Sequence, residues 1–372
     1  MRVMTIFGTR PEAIKLAPVV LAFQNSGSVE HITCVTGQHR EMLDQVLQTF
    51  DIRPDIDLDL MRPNQKLEHI TSAALTGIGE ALDKTKPDWV LVQGDTTTAF
   101  AGALAAFYRK VKVGHVEAGL RTGNIYSPWP EEMNRRLISQ LTTMHFPPTE
   151  ASARNLLGEG IARENVLMTG NTVIDALQWV VKRLSDDTNF RSRFAQGVKR
   201  RFPDRRLILV TGHRRENFDS GLETTCIALR RLADRGDVEI IYPVHLNPRV
   251  QSVAKNVLAD HPAIQLLAPM NYVPFIELMR QSYLIVTDSG GIQEEAPGLG
   301  IPVLITRDTT ERPEAVQAGT AKLIGTNTEN LVSAANTLLD DSAAYTAMAQ
   351  AKNPFGDGQA SRRIVNRIIE RS

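Results

Sequence analysis

Three carboxylates and a histidine stand where apolar runs of this chain give way to loops. Asp95 follows the run 89–93 in Gly94-Asp95-Thr96-Thr97-Thr98, and Glu117 closes the run 112–117. Glu131 follows Ser127-Pro128-Trp129-Pro130, and His213 follows the run 207–211 in Gly212-His213-Arg214-Arg215-Glu216-Asn217. Carboxylate and imidazole are the groups that move protons near neutral pH. Each also has a plainer reading. Asp95 suits a helix N-cap, and Glu131 with Glu132 suits a first helical turn opened by Pro130, where acids favour the dipole. Glu117 is either a partly buried acid or base with a raised pKa or one half of an ion pair with Arg121. His213 is either a working titratable group or a satisfied surface histidine.

A second kind of chemistry is written in Thr287-Asp288-Ser289-Gly290-Gly291-Ile292-Gln293-Glu294-Glu295. The apolar run before it reads as a buried parallel strand. Two residues without a Cβ then let an anion approach the free N–H groups at the start of the next helix, where the dipole also favours negative charge. Glu295, a turn further on, is placed to accept hydrogen bonds from a ribose diol. The plainer reading is a strand-to-helix turn that needs small residues. Arg10 and Lys15, after the first apolar run, are cations at a helix start, a place that disfavours them unless they serve an anionic ligand. Arg312 is either a loop ion pair with Glu311 or Glu314 or a further phosphate or sugar contact.

These residues need a scaffold that delivers them to one edge. Strand-like runs at 3–7, 31–36, 89–93, 112–117 and 143–146 alternate with helical periodicity at 13–24, 40–50, 67–82 and 96–108. A second set of strands follows at 207–211, 239–243, 264–267, 283–287, 303–306 and 322–324, with helices near 222–232, 250–258, 274–280 and 329–339. The expected class is α/β, with two Rossmann-like doubly wound parallel-sheet domains. Their expected bounds are 1–169, carrying the acid/base groups, and 170–356, with a helical segment at 357–372 that belongs clearly to neither. In such sheets ligands bind beyond the carboxyl ends of the strands, where the charged residues above are found.

Composition excludes several classes. The 372 residues carry 42 Lys+Arg against 42 Asp+Glu, so no charge excess points to nucleic acid or an anionic membrane. The basic string Lys199-Arg200-Arg201 lacks the interleaved aromatics of a stacking platform and reads as a solvated face. No apolar stretch reaches membrane-spanning length and the N-terminal run is too short for a signal peptide, so a cytoplasmic protein without membrane insertion is expected. Cys34 and Cys226 are far apart in core-like patterns, and no cluster has metal-site spacing, so no metal and no cofactor are expected. There is no Gly-x-Gly-x-x-Gly, no Walker loop and no Gly-x-Ser-x-Gly elbow.

Long motifs spread over essentially the whole chain resemble the non-hydrolysing UDP-N-acetylglucosamine 2-epimerases of bacteria. They are Phe7-Gly8-Thr9-Arg10-Pro11-Glu12-Ala13-Ile14-Lys15, Gln38-His39-Arg40, Gly94-Asp95-Thr96, His115-Val116-Glu117-Ala118-Gly119-Leu120-Arg121-Thr122, Pro130-Glu131-Glu132, Gly170-Asn171-Thr172, the His213 segment and the Ser289-Gly290-Gly291 stretch. The resemblance implies a GT-B fold with the active site in an interdomain cleft, a final helix crossing back to the N-terminal domain, and a homodimer. It implies UDP-N-acetylglucosamine and UDP-N-acetylmannosamine as ligands, held by Arg10, Lys15, Asp95, Glu117, His213, Met270, Phe275, Ser289, Gly290, Gly291, Glu295 and Arg312. Catalysis would fall to Asp95, Glu117, Glu131 and His213. Gln38, His39 and Arg40 match part of a second, activating substrate site, although Glu41 stands where some members carry Gln.

Overall fold

The structure is a computed structural model that describes residues 1–37, 40–60, 65–195, 199–212 and 220–371. Among these residues the chain forms two compact units, Met1–Trp179 with Phe355–Ser372, and Val180–Pro354. The outgoing division falls ten residues beyond position 169, so Gly170-Asn171-Thr172 belongs to the first unit.

The first unit holds β1 (Arg2–Phe7), β2 (Glu30–Val35), β3 (Ile56–Asp57), β4 (Trp89–Gln93), β5 (Lys112–Val116) and β6 (Met144–Phe146) in the order β3-β2-β1-β4-β5-β6. The second holds β7 (Arg206–Thr211), β8 (Val238–Pro243), β9 (Ile264–Leu267), β10 (Leu284–Thr287), β11 (Val303–Ile305) and β12 (Ala321–Leu323) in the order β12-β11-β10-β7-β8-β9. Every pairing between these strands is parallel. Counted from its own first strand, each sheet follows the same doubly wound order, with its switch point between its first and fourth strands: β1 and β4, then β7 and β10. The α/β class read from the sequence is the one observed. Only the two-residue β3 has no counterpart in the expected strands, since so short an edge leaves no alternating pattern to read.

Local sequence explains how tightly the layers close. The helix Thr97–Tyr108 is alanine-rich, and Ala99, Ala101, Ala103, Ala105 and Ala106 are fully buried in a cluster with Met4, Ile6, Val90 and Val92. Gly102 completes the approach, because a Cβ there would stand 3.1 Å from Val92 Cγ1. In the second unit Ile208, Val210, Ile240, Tyr242, Leu284 and Val286 form the corresponding core. Cys34 and Cys226 are buried and free, and burial pushes both thiols up to about 12.

The last helix, Ala360–Glu370, belongs to the first unit, where it packs on the helix Arg10–Gln24 and buries Ile364 and Ile368 completely. Its own N-cap residue, Gln359, makes no side-chain cap bond. Asp175, from the first turn of the helix Thr172–Asp186, takes that role by accepting from Ser361 N at 2.7 Å and Ala360 N at 3.2 Å. Removing it leaves buried amides unpaired. The Asp175→Ala variant is therefore expected to lose about 1–3 kcal/mol of stability, read as a lower urea midpoint with faster amide exchange confined first to residues 360–370.

Candidate active site

The first unit gathers its charged residues around the switch point between β1 and β4. Thr9 caps the helix Arg10–Gln24 with extended backbone, and Glu12 completes a capping box. One Glu12 oxygen accepts from Gly8 N at 3.1 Å, Thr9 N at 2.8 Å and Thr9 Oγ1 at 2.8 Å, and the other from Thr96 Oγ1 at 2.6 Å. Glu12 therefore ties the loop after β1 to the loop after β4. Burial pushes its carboxyl above the usual range, and the bonds from Thr96, Thr9 and Gly8 pull it back. It stands inside a quoted motif, but nothing in its spacing distinguished this bridging role.

Glu117 follows β5 with φ +60, a left-handed conformation that costs a residue with a Cβ about 1–3 kcal/mol. The turn that holds it continues through Gly119 at φ +87, where a Cβ would meet the Ser152 carbonyl oxygen at 2.2 Å. Only 7% exposed, Glu117 accepts from Lys15 Nζ and from Asn171 Nδ2 (2.9 Å) on one oxygen, and from Gln93 Nε2 on the other. The expected alternative partner, Arg121, instead forms a bidentate pair with Glu159 at 2.7 Å. Lys15 reaches Glu117 from the second turn of the helix that Thr9 caps.

Asp95 is not the N-cap that its position after β4 suggested. Thr96 caps the helix Thr97–Tyr108, accepting from Ala99 N at 3.0 Å. Asp95 is left to pair with Arg135, whose Nε lies 3.0 Å from Oδ2, while Asn134 Nδ2 donates to the Asp95 carbonyl at 2.9 Å. Asn134 and Arg135 lie on the helix Glu131–Leu141, which Glu131 opens half-buried behind Pro130 at the N-cap. That helix is thus anchored to Asp95 within a turn of Glu131. Its neighbour Glu132, fully buried, holds Thr122 N at 3.0 Å and both Arg135 and Arg136.

In the second unit the loop after β10 is fixed from beneath. Thr211 and Thr287 are register partners across β7 and β10, their hydroxyls 2.6 Å apart, and Thr287 Oγ1 accepts from Ser289 N at 2.9 Å. The helix Gly290–Glu295 begins at once, and the Ser289 side chain makes no cap bond to it. Space beside Gly290 is open, and a Cβ on Gly291 would come 3.9 Å from a Glu295 carboxyl oxygen. Buried Glu295 accepts from Tyr272 Oη at 2.9 Å. Tyr272 opens the helix Tyr272–Arg280, which carries half-buried Phe275 and is preceded by half-buried Met270. Arg312 pairs with Glu294, one residue from Glu295, and donates to the Glu311 carbonyl at 3.2 Å. Arg10 opens its helix half-buried, and Arg40 pairs with Asp44 and Asp57 in the first unit. His213, Gln38 and His39 lie outside the described residues.

Beneath the loop of Asp95, His115 Nε2 donates to the Gly94 carbonyl at 2.7 Å, fixing a glycine at φ +70. Its register partner across β5 and β6 is His145, also fully buried, and neither ring nitrogen of His145 has a hydrogen-bond partner among the described residues. Burial lowers His115 to about 4 and His145 to about 3.

A sequence model of the UDP-N-acetylglucosamine 2-epimerase family matches residues 21–369. The chain belongs to that family. It is 53% identical to the UDP-N-acetylglucosamine 2-epimerases of Yersinia pestis and of Escherichia coli (strain K12), each over 369 residues covering 99% of this chain and 98% of the relative. Among solved structures it is similar to UDP-GlcNAc 2-epimerase from Neisseria meningitidis bound to UDP-GlcNAc, with a TM-score of 0.89, 48% identity and full coverage of both chains. The two six-stranded parallel sheets with flanking helices are the GT-B-like architecture of these relatives.

The buried histidines give the fold a pH dependence. Above pH 6.5 both are neutral whether the chain is folded or not. Below it the unfolded chain takes up protons that the folded chain refuses until about pH 4 for His115 and about 3 for His145, so stability falls as pH falls. Unfolding free energies from urea titrations should decline from pH 6.5 downward by about 1 kcal/mol per histidine at pH 5.5. His145→Leu should make the decline shallower by one such share.

Proposed function

We propose that the chain interconverts UDP-N-acetylglucosamine and UDP-N-acetylmannosamine by inverting C2, through anti elimination of UDP to 2-acetamidoglucal and its re-addition. The observation that carries this reading is Glu117: a carboxylate in a left-handed turn, buried and gripped by a lysine and two amides at the switch point of the first sheet. The family's name supplies the substrate.

The chemistry accounts for the residue types. C2 of the pyranoside is not next to a carbonyl, so its proton is not removed directly at a useful rate. Breaking the C1–O bond first gives C1 oxocarbenium character and makes the C2 proton acidic. UDP leaves with the bonding pair, C2 loses its proton, and the glucal forms. Protonation from the opposite face and return of UDP complete the inversion, with no net change in oxidation state and no cofactor.

In this reading Asp95, Glu117 and Glu131 share the proton transfers. His213 and the amides of Ser289, Gly290 and Gly291 stabilise the departing diphosphate, as donors aimed at developing charge do. Arg10 and Arg312 add positive charge, Glu295 takes the ribose hydroxyls, and Met270 and Phe275 flank the nucleotide. The first unit moves protons and the second holds UDP between the two halves of the reaction. The product supplies N-acetylmannosamine units for surface polysaccharide.

Incubation with UDP-N-acetylglucosamine in D2O tests the reading. The expected result is reversible formation of UDP-N-acetylmannosamine with deuterium at C2. Accumulation of free N-acetylmannosamine with UDP would assign a hydrolytic enzyme that uses the same elimination, and absence of exchange would rule out both. Glu117→Gln should lower exchange about 100-fold or more while UDP affinity stays within about threefold; loss of UDP binding instead would make Glu117 structural.

A further inference from the structure

Asn171 stands in a motif that the functional reading leaves without a role, yet it touches the residue that carries that reading. It is 2% exposed, and its Nδ2 donates to Glu117 Oε1 at 2.9 Å, the same oxygen that receives Lys15. Its amide orientation is fixed from the other side. Oδ1 accepts from Val173 N at 3.2 Å, at the start of the helix Thr172–Asp186, so only the NH2 group is left to face Glu117.

Its backbone is held just as firmly. Asn171 N donates to the Phe355 carbonyl at 2.6 Å, at the residue where the chain re-enters the first unit. The adjoining Gly170 and Gly356 meet backbone to backbone: a Cβ on Gly170 would lie 3.2 Å from Gly356 Cα, and one on Gly356 would lie 3.3 Å from Gly170 Cα. Asn171 is therefore set against the returning chain on one side and against the Glu117 carboxylate on the other.

We propose that Asn171 is a positioning residue for the epimerisation, one that fixes the Glu117 carboxylate through its side-chain NH2 from the point where the returning chain packs. The inference rests on the assignment of Glu117 to proton transfer. A carboxylate at the end of a side chain with three torsions needs fixing in angle as well as in place, and Lys15, a point charge on a flexible stem, does not supply the angle. The planar amides of Asn171 and Gln93, one on each oxygen, do.

A cap-preserving substitution separates this role from a structural one. Aspartate and serine both cap helices about as well as asparagine, but Asn171→Asp turns the donor facing Glu117 into an acceptor and Asn171→Ser withdraws it. Expected for Asn171→Ser is a melting temperature within a few degrees of wild type, whereas Asn171→Asp, which sets two buried carboxylates together, melts lower. Turnover in the C2 exchange assay should fall about 10- to 100-fold for Asn171→Ser and more for Asn171→Asp, with KM and UDP affinity within about threefold. An active Asn171→Asp beside an inactive Glu117→Gln overturns the inference alone. Glu117→Gln that still exchanges overturns the assignment of Glu117 and this inference with it. A loss of turnover matched by loss of UDP affinity or of thermal stability in both cap-preserving variants makes Asn171 structural and also overturns it.

Discussion

The first unit depends on one hydrogen-bonded knot, the Glu117 carboxylate with Lys15, Gln93 and Asn171. Each partner comes from a different element: the helix after β1, the last residue of β4, and the residue before the helix Thr172–Asp186. A side chain at φ +60 is held there only because the surroundings over-determine it. The cost of the left-handed backbone is offset by three donors, two of them themselves buried or nearly so. In the proposed reaction the same arrangement gives a proton-transfer group its orientation, since any departure of the turn breaks several bonds to a charged acceptor together.

The scaffold explains why the knot forms at this edge. Both sheets run in the same doubly wound order, and in each the crevice opens where the first strand lies beside the fourth. In the first sheet that crevice is bridged by Glu12 and overlooked by Glu117. In the second it is floored by the Thr211–Thr287 pair, above which Ser289, Gly290 and Gly291 open a helix. One architecture thus offers carboxylates in one unit and backbone amides in the other. In the proposed reaction that division would serve an elimination, which needs proton transfer and retention of an anionic leaving group.

Much of this was legible in the sequence because it is local. Alternating apolar runs and helical periodicity gave the strand count apart from β3, and Gly-Thr-Arg-Pro-Glu or Asp-Ser-Gly-Gly after a strand marked the loops that matter. Partners distant in sequence were not legible. Spacing offers Glu117 the cation of Arg121, four residues away, whereas the fold brings it Lys15, 102 residues away. Spacing offers Arg312 the nearby Glu311 and Glu314, and the fold also brings it Glu294 on the helix after β10. Asp95 read as a cap because Asp after a strand usually is one, but the next residue, Thr96, holds that position and frees Asp95 for Arg135. In each case the packing of elements supplies a partner that spacing along the chain does not show.

In the proposed reaction the C2 proton moves only after the bond between C1 and the UDP oxygen breaks. The direct measurement uses UDP-N-acetylglucosamine labelled with 18O in the bridge between C1 and the β-phosphorus, followed by 31P NMR during turnover in D2O. In the proposed reaction label migrates from the bridge to the non-bridging β-phosphate oxygens at a rate comparable with that of deuterium entry at C2, because freed UDP rotates before it returns. Deuterium at C2 with the label still wholly in the bridge, and with neither 2-acetamidoglucal nor free UDP released during turnover, would contradict it.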